Sequence, residues 1–246
     1  MSSASLRSVS VTGKRWLRAG LVAGIAMVAV LCLPGKPLAA QTAYVGKLVG
    51  GGFADPTGVA VDSSGNVYVA DTGNYAVKEV PAGCVSSSCV IILGGSSTFT
   101  EPFGVAVDGS GNVYVADFGD HVTGNHVVRE MPNSCRSSAC VTSLGGGFGL
   151  PFAVAVDGSG NVYVIDASNS TLSKLANTCT STLYNSGGCT VSAPGGGSIA
   201  APANVAVDGS GNVYVSDSNH SGNGDESVKV MSNTCTSSAC VSTLGN

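Results

Sequence analysis

Pro56-Thr57-Gly58-Val59-Ala60-Val61-Asp62-Ser63-Ser64-Gly65-Asn66-Val67-Tyr68-Val69-Ala70-Asp71 is a sentence that this chain writes four times. It returns at residues 102–117, 151–166 and 202–217, always with the core P-x-[GAN]-V-A-V-D-[SG]-S-G-N-V-Y-V-x-D. The matching aspartates Asp62, Asp108, Asp157 and Asp208 are separated by 46, 49 and 51 residues. A period in that range marks stacked or radial units, each too small to bury its own apolar face.

Within the first unit, Gly58-Val59-Ala60-Val61 and Val67-Tyr68-Val69-Ala70 are continuous apolar runs rather than strict alternations. Such runs belong to strands covered on both faces. The Asp62-Ser63-Ser64-Gly65-Asn66 link between them is a tight hairpin, with Asp and Ser bonding to the turn backbone and Gly65 supplying a positive φ. Gly111, Gly160 and Gly211 repeat it. Thr72-Gly73-Asn74 is a second turn, and Ala76-Val77-Lys78-Glu79-Val80 alternates as a half-exposed third strand. A loop from Cys84 to Cys89 leads to a fourth strand ended by Gly94-Gly95.

Four antiparallel strands joined by short turns make one propeller blade. The predicted fold is therefore all-β, a β-propeller of four four-stranded blades over residues 41–246, with units at about 52–95, 96–147, 148–197 and 198–246. Ala43-Tyr44-Val45-Gly46-Lys47-Leu48-Val49-Gly50-Gly51 reads as a fourth strand without its first three, although Val241-Ser242-Thr243-Leu244 already supplies the last outer strand. A closed four-bladed ring, an open arc and a remnant of a longer array all fit this pattern.

Residues 1–40 read as a secretory signal. Arg7, Lys14, Arg15 and Arg18 precede a 15-residue small and apolar run at 19–33, then Pro34-Gly35 and the small residues Ala39-Ala40. The run is shorter than the roughly 20 residues of a membrane-spanning helix, so no stable span is expected after cleavage. Cleavage removes five of the 11 basic residues and none of the 15 acidic ones, leaving a net charge of −9. An acidic surface repels phosphates, so nucleic acid is not an expected partner. Cys32 leaves with the signal, and eight cysteines remain as neighbours: Cys84 and Cys89, Cys135 and Cys140, Cys179 and Cys189, Cys235 and Cys240. An even count in an exported chain reads as disulfides, and of 105 possible pairings the repeat makes the local one simplest. The expected location is secreted or periplasmic.

The four units resemble the NHL repeat, typified by P-x-G-V-A-V-D-x-x-G-N-V-Y-V-A-D-x-x-N. The resemblance implies a propeller, most often of six blades in that family. Here the N-x-R-[VI] that usually opens the third strand is reduced to Asn74-Tyr75-Ala76-Val77, and units two and four carry insertions at 119–126 and 219–226. By analogy with propellers, loops entering the innermost strand and loops leaving the second strand share one rim around the channel. Binding residues sit preferentially on loops held by a rigid scaffold. The candidate ligand-binding rim is Asp71, Asn74, Phe103, Asp117, Asp120, His121, His126, Phe152, Asp166, Asn169, Asp217 and His220.

Each candidate carries two readings. Asp71, Asp117, Asp166 and Asp217 around a channel mouth suit calcium, which takes oxygen ligands, or they cap turns through backbone N–H groups. The latter suits their strict repetition. Asp108-Gly109-Ser110-Gly111-Asn112 mimics the start of a calcium loop but lacks its central glycine and closing glutamate, so the hairpin reading prevails. His121, His126 and His220 are all the histidines, and three histidines suit an open zinc site; exposed loop histidines are the plainer reading. Lys78, Arg129, Lys174 and Lys229 are read as one third-strand slot, open to a ligand anion, although a repeated strand position more often makes a local salt bridge or stays in solvent. No resident cofactor is expected, with calcium or zinc as the alternative. No nucleophile elbow, H-E-x-x-H or phosphate loop is present.

The function read from this is a non-catalytic scaffold that binds a protein or glycan at the cell envelope. The alternative is a metal-dependent lyase or lactonase of the six-bladed kind. A third possibility is a unit whose open edges assemble with other chains.

Overall fold

The structure, a computed structural model, describes residues 50–119, 126–145, 147–179, 191–192, 194, 199–218 and 226–244. Their strands form four separate antiparallel sheets of four, each in simple sequence order. Blade one contains β1 (Pro56–Val61), β2 (Val67–Asp71), β3 (Ala76–Val80) and β4 (Ile91–Gly94). Blade two contains β5 (Pro102–Val107), β6 (Val113–Asp117), β7 (Val127–Met131) and β8 (Thr142–Gly145). Blade three contains β9 (Pro151–Val156), β10 (Val162–Asp166), β11 (Thr171–Leu175) and β12 (Val191–Ser192). Blade four contains β13 (Pro202–Val207), β14 (Asn212–Asp217), β15 (Ser227–Ser232) and β16 (Ser242–Leu244).

The blades pack face to face in sequence order, each through the same residues. One face of blade one offers Tyr68, Ala70, Val77, Leu93 and Phe99, which meet Val105, Val113, Val115 and Met131 of blade two. Ala106, Tyr114, Ala116, Val128 and Leu144 of blade two meet Val154, Val162, Val164 and Leu175 of blade three. Tyr163, Ile165 and Leu172 of blade three meet Val205, Val213, Val215 and Met231 of blade four. Side chains alternate across a strand, so the Val-x-Val letters of the motif face the preceding blade and the intervening Ala and Tyr face the next. A side chain of this size contributes about 1.5–3 kcal/mol when fully buried, so the junctions between blades dominate the stability.

The inner strands β1, β5, β9 and β13 lie side by side in that order. Among the described residues no packing of comparable extent joins β13 back to β1, and the blades form an open arc. The expectation that every β-branched run is covered on both faces therefore fails at the ends. Val59 is 67% exposed, whereas its counterparts Val105, Val154 and Val205 are each 7% exposed.

Cys84–Cys89, Cys135–Cys140 and Cys235–Cys240 are disulfides. Cys179 is also disulfide-bonded, while Cys189 lies outside the described residues. Each of the three bridges closes the link between the third and fourth strands of its blade around a single 3-10 turn, at Ser87–Cys89, Ser138–Cys140 and Ser238–Cys240. Such bonds are those of an oxidising compartment. Among the described residues no helix is long and apolar enough to cross a membrane.

Candidate functional site

The concave side of the arc carries a groove of about 400 Å³ to which all four inner strands contribute. Its lining runs through Thr57, Gly58 and Val59, Phe103 to Val105, Phe152 to Val154, and Ala203 with Asn204. Two glycines let these strands approach. A Cβ on Gly58 would sit 2.4 Å from the Phe103 carbonyl oxygen, and one on Gly104 would sit 2.9 Å from the Ala153 Cα. Thr57 ties blade one to blade two by donating its hydroxyl to the Phe103 carbonyl at 2.9 Å. Thr72 donates to the Pro102 carbonyl at 2.6 Å.

The Phe103 ring packs against Phe118 at 5.1 Å and against Phe152 at 5.0 Å between centroids. His126 meets the edge of Phe118 at 6.2 Å and donates from Nδ1 to the Phe118 carbonyl oxygen. Because a carbonyl only accepts, Nδ1 carries the hydrogen of this bond. The groove is thus aromatic at its centre, and among the described residues its lining offers Thr57 and Asn204 as polar side chains and no charged group.

The four second-strand aspartates stand beneath the rim, buried, and gather the loop that enters their own blade. Asp71 accepts the Ala54 amide at 2.7 Å and the Asn74 side chain at 2.7 Å, and pairs with Lys78. Asp117 accepts the amides of Thr100 and Glu101, at 3.1 and 2.9 Å, and pairs with Arg129 at 2.8 Å. Asp166 accepts the amides of Gly149 and Leu150, at 2.8 and 2.9 Å, and the Asn169 side chain at 2.7 Å. Asp217 accepts the amides of Ala200 and Ala201, at 3.2 and 2.7 Å. Burial pushes the Asp166 carboxyl up, but the Gly149 and Leu150 amides and then Asn169 outweigh it and hold its pKa below the ordinary value. Asp71 is held down against burial by Lys78, Asn74 and the Ala54 amide.

The hairpin aspartates repeat another fixture on the opposite edge of each blade. In Asp62 one oxygen accepts the Ser64 and Asn66 amides and the other accepts the Asn66 side chain and the Tyr68 hydroxyl. Asp108, Asp157 and Asp208 repeat all four bonds with their own neighbours. The glycine of each hairpin has a φ of 81–84°, a region that glycine enters without strain. Burial, followed by Glu79 and Asp62, pushes the Tyr68 hydroxyl up to about 12.

The basic third-strand slot needs a correction. Lys78, Arg129 and Lys229 pair opposite Val69, Val115 and Val215, but Ser173 holds that slot in blade three. Lys174 is one residue further on, opposite Tyr163, where blades one and two carry Glu79 and Glu130. A one-residue step reverses the face of a strand. Lys174 therefore reaches into blade four and donates to the Asn233 carbonyl at 2.7 Å. The salt bridges of Lys78 and Arg129 are made with Asp71 and Asp117 rather than with the adjacent glutamates.

Of the expected rim, the structure brings Phe103 and Phe152 into the groove, with His126 behind Phe118. Asn74 and Asn169 buttress the buried aspartates. Asp120, His121 and His220 lie outside the described residues. Among the described residues no three of His, Cys, Asp or Glu converge. Thr57, Phe118 and Asn204 were not singled out from sequence. Thr57, Phe103, Phe152 and Ala203 are the free letter after the proline of an otherwise fixed motif, and that variation was the available signal.

Residues 53–79 match the NHL repeat, and residues 90–116 match a family described as a beta-propeller repeat. No curated protein sequence matches the chain. Among solved structures it is similar to a streptogramin B lyase, with a TM-score of 0.53 and 12% identity over 76% of this chain and 53% of that one. It is similar to a gluconolactonase from Xanthomonas campestris, with a TM-score of 0.51 and 13% identity over 69% of this chain and 58% of that one. It is also similar to the hydrazine synthase of Kuenenia stuttgartiensis, with a TM-score of 0.57 and 12% identity over 81% of this chain and 52% of that one. The chain spans little more than half the length of each, and these likenesses concern the fold.

Proposed function

From a chain that carries NHL-type repeats folded as β-propeller blades, we propose a binding scaffold that acts outside the cytoplasm, with the inner-strand groove as its recognition surface and a protein or glycan of the cell envelope as its ligand. The observation that carries this is the aromatic floor of Phe103 and Phe152 in a groove whose described lining is apolar and neutral polar. Such a floor takes the apolar face of a sugar ring or an apolar peptide side chain, while Thr57 and Asn204 offer hydrogen bonds at its margins. Export through a leader at residues 1–40 is part of the same proposal, and the disulfides support it.

The test is a glycan array and a displayed peptide library probed with wild-type protein and with Phe103→Ala/Phe152→Ala. Loss of two aromatic contacts is expected to weaken the selected binders by about 10- to 100-fold, in a variant whose melting curve shows it still folded at the temperature of the assay. Undiminished binding by the double variant contradicts the proposal. The second reading, a metal-dependent lyase or lactonase, draws on the likeness in fold to a streptogramin B lyase and a gluconolactonase and on His126 beside the groove. Stoichiometric zinc or calcium that survives dialysis and is lost in His126→Ala would favour it.

A further inference from the structure

We propose that the two open ends of the arc are the two halves of one interface, and that a second copy of this chain closes it, blade four of each copy seated on blade one of the other. Three internal junctions serve as templates. At each, the donating face carries an Ala on the first strand, a Tyr on the second, and Val or Leu on the third. Blade four repeats these letters as Ala206, Tyr214 and Val228, and adds Leu244 on its last strand. Nothing among the described residues covers them. Val228 is 39% exposed where Val77 and Val128 are fully buried, and Leu244 is 51% exposed where Leu93 and Leu144 are 2% and 3% exposed. The receiving face recurs in blade one as Val59 and Val61, and Val61 is 60% exposed. Phe53 already packs on the outer part of that face, beside Val69, Val80 and Cys84. The inner part stays open.

The polar slot beside the tyrosine identifies the partner. At the first junction, Glu79 of blade one pairs with Arg136 of blade two at 3.2 Å. At the third junction, Lys174 of blade three bonds to Asn233 of blade four. In blade four this slot, opposite Tyr214, holds Val230. The position matching Arg136, immediately after the first cysteine, holds Val85 in blade one, and Val85 is 60% exposed. The charge is thus missing from both free faces together, and a valine stands on each. Asn204 replaces the glycine or alanine of the internal junctions at the axis, so the junction between copies is wider there. A contact between unlike faces forms a ring if its rotation closes. Two such arcs make a ring of eight blades, within the range that propellers use.

The test is the solution mass of the purified full chain by sedimentation, with Val228→Glu on one face and Val61→Glu on the other. Both side chains are exposed in a single copy, so both variants fold, as their melting curves will verify. Wild type is expected at the mass of two copies and each variant at the mass of one. An equimolar mixture of the two variants is expected to return to two copies, since one intact face of each kind remains. A monomeric wild type, as follows if residues 1–49 cover the faces, overturns the proposal. So do variants that stay dimeric, a mixture that stays monomeric, and a mass that grows without limit.

Discussion

Asp166→Ala is expected to lower the folding stability by about 2–4 kcal/mol, because it removes a buried carboxylate that accepts the part-buried amides of Gly149 and Leu150. Its carboxylate accepts from Gly149 and Leu150 on the strand-entering loop and from Asn169 on the strand-leaving loop. It is 2% exposed, so water does not replace it. The effect has a pH signature. The folded pKa of Asp166 is lowered, so its contribution is fully present above the unfolded value of about 3.9 and is lost as the pH falls through the folded value. Urea melts of wild type and variant are expected to differ by the full amount at neutral pH and by progressively less as the pH is lowered below about 3.9. A difference below about 1 kcal/mol at neutral pH would show that the aspartate belongs to a ligand site rather than to the fold.

Leu144→Ala is expected to cost about 3 kcal/mol, by lost transfer energy and by the cavity left between blades two and three. Leu144 packs there with Val128, Phe148 and Leu175. Leu244 occupies the same place in blade four but is 51% exposed. In a Val228→Glu background, which keeps that face open, Leu244→Ala is expected to change stability by no more than about 0.5 kcal/mol. Equal effects at the two positions would mean that blade four is covered as blade two is, which the arc does not allow.

The four-sheet architecture was legible because its signal is repeated. One reading of a valine run is ambiguous, but four runs with the same hairpin chemistry between them leave little choice. The hairpin Asp, Ser, Gly and Asn bond as their positions in the turn demand. Whether the ring closes was not legible. Closure depends on the rotation from blade to blade, which no single residue encodes, although Asn204 in place of glycine and Val230 in place of a charge set blade four apart from the others. The site was legible only in part. Phe103 and Phe152 were visible as aromatics at a free letter of the motif, whereas Phe118 and Thr57 join them through contacts between blades that no local pattern records. Lys174 was misplaced for a related reason: it sits one residue beyond the slot, and spacing alone does not reveal a shift of face.

Stability and the groove both arise from blades packed in series, with the middle two covered on both sides. Amide hydrogen exchange of the Val228→Glu chain, resolved by strand, tests this most directly. Protection is predicted to be greatest in β6 and β10, lower in β2, and lowest in β14 and β15, whose outer face is open. Equal protection across the four sheets, or a maximum in blade four, would contradict the arrangement.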